Sequence, residues 1–158
     1  MKPVEMRHES DCTAAVLASL FEIPIAEMPD FWKARGSETG FYARVNGWLA
    51  TRGYHWYYSI YGGTDCPLLR DFVKQKTAAN SSFPPRGYWV AQISSVDRLR
   101  DDEPSHAVVM KGRRLVFNPG GSAKQALEGP WFLIGYYLLQ PLDPARLSLA
   151  EEAASGAH

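Results

Sequence analysis

Between Asp11 and Glu22 the chain is apolar at almost every position. Ala14, Ala15, Val16, Leu17, Ala18, Leu20 and Phe21 leave only Thr13, Ser19 and Glu22 as polar breaks. A helix apolar on nearly every face is a central, buried one. Ser10 and Asp11 are both good N-cap types, so the helix is expected to begin there and to run to Phe21 or Ile23. "IPIAEMPDFW" (23–32) predicts a turn, a short helix and a second turn. In 37–53, Phe41, Val45, Trp48 and Leu49 fall at helical spacing, with Gly53 as the stop. "YHWYYSIYG" (54–62) is aromatic and reads as a strand. It is expected to form core and cleft wall; the alternative is a substrate-groove role for one face, since alternation would expose Tyr54, Trp56, Tyr58 and Ile60 together. A third helix is expected within 62–75, with Pro67 in its first turn.

From residue 87 onward the pattern is one of strands. "GYWVAQIS" (87–94) comes first, then the charged loop "SVDRLRDDEPS", then "HAVVMKG" (106–112) and "RRLVFNPGG" (113–121), which predict a hairpin about Gly112. "WFLIGYYLLQP" (131–141) is a last apolar strand. "ANSSFPPRG" (79–87) is a loop by composition, and 1–9 are polar with one short extended piece at Val4. Helices early and strands late predict an α+β fold with an antiparallel sheet, one domain over 1–142 and a flexible or weakly helical tail over 143–158.

Composition narrows the function. Hydrophobic residues make up 46% and charged residues 22%, enough apolar material for an autonomous core. Lys plus Arg equals Asp plus Glu at 17 each, and no basic run exceeds two residues, which argues against nucleic acid as the ligand. No apolar run approaches the roughly 18 residues of a membrane span, so no membrane insertion is expected. "MKPVEMRHESD" has no apolar core of a secretory signal. The expectation is therefore a cytoplasmic protein with two reduced thiols; export by another route would allow a Cys12–Cys66 bridge. The oligomeric state is open.

Cys12 stands at the start of the buried helix. Partial positive charge and free N–H groups at a helix N-terminus lower a thiol pKa. Asp11 opposes this by like-charge repulsion, less so if its carboxylate caps the helix. Among the four histidines, His106 opens an apolar strand just after a polar loop, where a base can face a cleft. A turn at Gly112–Arg113 sets His106 and Asn118 within about one residue of facing each other. Asn118 can then brace one imidazole nitrogen and leave the other for the thiol.

Each of these residues has a plainer reading. A lone cysteine is most often a buried structural thiol, and a histidine on an apolar strand is most often a satisfied core residue. Cys66, in "TDCPLL", also stands at an expected helix start but has no assigned partners. A zinc site of Cys12, Cys66, His8 and His106 has no C-x-x-C or H-x-x-x-H pair behind it.

Asp-Cys before an apolar helix, a His-apolar-apolar-apolar strand and Asn-Pro a dozen residues later resemble the papain-like cysteine peptidases. The closest likeness is to the bacteriocin-leader peptidases, which cleave after double-glycine leaders, and to their standalone bacterial and phage relatives. It spans roughly residues 5–120. The resemblance implies a papain-like fold and a cofactor-free cysteine hydrolase acting on a peptide or protein. Cys12 would be the nucleophile, His106 the general base and Asn118 the orienter. The same triad serves acyl transfer and deamidation, and a papain-like module can also bind a protein without catalysis. Two departures stand out. Thr13 follows the cysteine where relatives have Gly. Met6 stands where they carry a Gln that donates to the oxyanion, and losing one such donor costs about 10²–10³ in rate. The Cys12 backbone N–H, His8 and Ser10 are the candidate replacements.

Overall fold

The computed structural model describes residues 1–32, 38–60, 66–76, 83–95 and 105–142. The tail over 143–158 (with His158), the charged loop at 96–104 and the first part of the loop at 79–87 lie outside the described residues.

Helix α1 spans Cys12–Phe21 and ends at Glu22 in the left-handed region, φ 57°. A 3₁₀ turn follows at Ile25–Glu27, then α2 over Glu38–Ala50. Phe41, Val45 and Leu49 are buried on one face of α2, as their spacing predicts. The strands are β1 Tyr54–Ile60, β2 Tyr88–Ser94, β3 Ser105–Lys111, β4 Arg114–Phe117 and β5 Phe132–Pro141. They form one antiparallel sheet in the order β1-β5-β2-β3-β4. The mixed α+β class and the antiparallel sheet agree with the sequence. The last strand, β5, is inserted between the first two. The N-terminal stretch forms no strand: Val4 donates its N–H to Ser19 Oγ at 2.9 Å, fastening residues 1–6 along α1.

The sheet is covered on both faces. One core joins α1 and α2 to Trp56, Val90, Ala107, Val109 and Tyr137. The other joins Leu69, Phe72 and Ala126 to Trp89, Ala91, Ile93, Val108, Met110 and Leu133. Leu69 and Phe72 belong to α3, Leu69–Lys74, and Ala126 to α4, Ala123–Glu128.

Two expectations change. Helix α3 begins only at Leu69, because Leu68 is extended and bridges Phe132 while Leu69 N–H bonds Trp131 O at 2.8 Å. Cys66 therefore does not sit at a helix start. Helix α4 is an addition within a region read as strands. On β1, Trp56 and Tyr58 belong to the core, stacked on Tyr137 at 4.3 and 4.6 Å, while Ile60 farther along the same face and Tyr57 on the opposite one are turned to solvent. No helix among the described residues is long and apolar enough to cross a membrane.

Candidate active site

Strand β3 and the turn after β4 are joined by the hairpin at Gly112, whose φ of 56° suits the left-handed position of a tight turn. Lys111 faces Arg114 and Met110 faces Leu115, after which a bulge moves Val109 opposite Phe117. Just past that bulge, His106 Nε2 lies 2.7 Å from Asn118 Oδ1. The same oxygen accepts from Gly120 N–H at 3.3 Å, and Asn118 Nδ2 donates to Ser122 O at 3.2 Å. The amide is therefore oriented from three sides. An acceptor facing Nε2 fixes the proton on that nitrogen and leaves Nδ1 free to take one.

Cys12 is the first residue of α1, and 8% of its surface is exposed. Burial pushes the thiol above its ordinary value; the neighbouring Ala107 backbone and the Thr13 hydroxyl and backbone oppose the rise, and Asp11 adds to it. Helix polarity does not, on balance, create a thiolate. Burial also pulls His106 below the ordinary histidine value, with the Asn118 bond opposing. At neutral pH the resting pair is an uncharged thiol and an uncharged imidazole.

Asp11 does not cap the helix. Its carboxylate is 2% exposed and gripped by the Arg7 guanidinium, with Nε to Oδ2 at 2.6 Å and Nη2 to Oδ1 at 3.0 Å. A bidentate, charge-assisted pair is stronger than a single bond to a backbone N–H, so Arg7 wins the carboxylate. Arg7 also donates to Met28 O at 3.0 Å, which ties the turn before Cys12 to the segment after α1.

Cys12, Thr13, Gln92, Ser105, His106 and Ala107 border one open cavity, about 430 Å³ with its mouth included. Trp32, Phe41, Tyr42 and Tyr137 form its aromatic wall, Trp32 and Phe41 stacked at 4.4 Å. Its lining combines apolar walls with a few polar groups, the make-up of a binding cleft. Alternation puts His106 on the face of Val108 and Met110, where its ring lies 6.2 Å from Trp131. Because β4 pairs only with Val109–Lys111, it leaves the β3 edge at His106 open, and His106 also borders the cavity.

The other expected donors are elsewhere. His8 Nδ1 and Ser10 Oγ bond each other at 3.0 Å on the exposed surface, and neither borders the cavity. A Cβ on Gly120 would meet both the Met6 methyl and His106 Cε1 at 3.2 Å, so Met6 lies close to the imidazole and offers it no hydrogen bond. Cys12 and Cys66 are both buried thiols, not a disulfide. Among the described residues no three His, Cys, Asp or Glu side chains converge as metal ligands. Sequence reasoning missed Gln92, the one buried amide side chain on this cavity, and the hydroxyl of Thr13. The chain matches no protein-family model, no curated protein and no solved structure.

Proposed function

We propose that the chain is a cysteine hydrolase of papain-like fold acting on a peptide or protein, with Cys12, His106 and Asn118 as its triad. The observation that carries this reading is the 2.7 Å His106–Asn118 bond on the rim of the cavity that Cys12 also lines. An imidazole braced at Nε2 on the cavity that a cysteine also lines supports general-base activation of that thiol. Cys12 Sγ attacks the substrate carbonyl carbon as its proton passes to His106 Nδ1. His106 returns that proton to the leaving amine, and the C–N bond breaks. A water, deprotonated by the same nitrogen, then releases the acid from the thioester. Because both groups rest uncharged, proton transfer accompanies attack instead of preceding it.

The second reading is a module that binds a protein in the same cleft without turnover. The apolar Met6 methyl beside His106 favours it. A mixed peptide library read by mass spectrometry separates the two. New termini with wild type, none with Cys12→Ala, and a rate lower by about 10²–10⁴ with His106→Ala support the hydrolase. A library left intact by protein whose Cys12 still alkylates decides for binding.

A further inference from the structure

We propose that Gln92 supplies the hydrogen-bond donor that Met6 cannot, its second amide N–H meeting the carbonyl oxygen as Cys12 attacks. This rests on the hydrolase reading above and names the group that completes it.

Gln92 lies on β2, between β3 and β5, directly opposite Ala107 on one side and Gly135 on the other. Ala107 shares with Cys12 both a buried core cluster and the lining of the cavity. Directly paired residues of an antiparallel sheet project to the same face, so the Gln92 side chain leaves the sheet on the face where α1 packs. It is 8% exposed and borders the cavity shared by Cys12 and His106.

An amide in such a place is costly unless its polar atoms are satisfied. Gln92 Nε2 donates to Ser105 Oγ at 2.8 Å, and Oε1 accepts from the Tyr137 hydroxyl at 3.3 Å. That accounts for one of the two N–H groups, and no protein acceptor among the described residues takes the other. The amide is also held in place. Tyr137 is bonded to the Tyr42 hydroxyl at 3.0 Å and stacked between Trp56 and Tyr58. Gly135 makes the room: a Cβ there would come 3.2 Å from Gln92 Oε1 and 2.9 Å from the Tyr58 ring. A donor fixed in place before reaction is what stabilises a developing oxyanion.

The test isolates the oxygen from the sulfur. N-acetyl-phenylalaninal, whose ring suits the Trp32–Phe41 wall, adds across the Cys12 S–H. An S–C bond forms, the C=O π bond opens, and the thiol proton ends on the oxygen by way of His106. Negative charge develops on that oxygen while the S–C bond forms, so the rate of addition depends on a donor there, whereas alkylation by iodoacetamide does not. Gln92→Met is expected to slow aldehyde addition by about 10²-fold while Cys12 alkylates at its wild-type rate. Gln92→Leu is the second variant should Gln92→Met fail to fold. A folded variant of either kind that adds the aldehyde at the wild-type rate overturns the assignment and leaves the triad standing. Wild-type protein that forms no Cys12 adduct with either reagent overturns the hydrolase reading beneath it.

Discussion

Asn118 serves three partners with one amide: the His106 ring, the Gly120 N–H and the Ser122 carbonyl. It is thus an orienter of the base and a clasp of the turn at once. Asn118→Ala is expected to lower stability by about 1–2 kcal/mol in urea titration and to lower turnover as well. Asn118→Asp keeps the acceptor facing Nε2 and should retain most of the turnover. Equal turnover in wild type and Asn118→Ala would reduce the residue to its turn. The two partners were legible in the sequence because a tight hairpin converts sequence distance into spatial proximity. Gln92 was not. In "GYWVAQIS" it is one polar residue in a strand, and it acquires meaning only when β2 lies beside β3 and β5. Thr13 read as a departure from Gly, yet it lines the cavity beside Cys12, and its hydroxyl opposes the rise that burial gives the thiol.

Among the elements, α4 shows what periodicity cannot reach. Six residues are too few for a helical repeat to stand out. The available signal was at its start: Ser122 accepts from Gln125 N–H at 3.1 Å while Gln125 Oε1 accepts from Ser122 N–H at 2.8 Å, a capping box. Helix α4 also sets the shelter over His106. It ends at Gly129, where a Cβ would lie 2.8 Å from the Trp131 indole, and Trp131 flanks the His106 ring. Gly129→Ala should push the indole away and cost about 1–3 kcal/mol. With its cover displaced, His106 should titrate closer to the ordinary histidine value, followed by NMR of the ring protons. An unmoved titration would mean that Trp131 does not shield the base. The long helices and the strands were readable because each repeats its apolar spacing several times. The start of α3 was not, because Leu68 is claimed by β5.

For the molecule as a whole, the shifts of His106 and Cys12 bound a pH window. Above the ordinary histidine value of 6.5, His106 is neutral folded or unfolded. Below it the unfolded chain takes up a proton that the folded chain refuses, so stability falls with falling pH. Below the ordinary thiol value of 9.0, Cys12 is protonated in both states. Above it the unfolded thiol ionises first, and stability falls with rising pH. Urea midpoints should therefore form a plateau between about pH 6.5 and 9.0. His106→Gln is expected to flatten the acid flank and Cys12→Ser the alkaline one; flanks unchanged in both variants would refute the burial argument. Fold class was legible at this scale, but the insertion of β5 and the division of helices between two faces were not, since no local pattern encodes which strands become neighbours. The contact of α1 with β3 has a consequence in time. Cys12 is near the start of the chain, and the strand that covers it lies beyond four other elements. The thiol is open in the unfolded chain and shielded once that long loop has closed, a slow class of contact. Brief thiol labelling during refolding would then read, from a single atom, the moment at which the two ends of the fold meet.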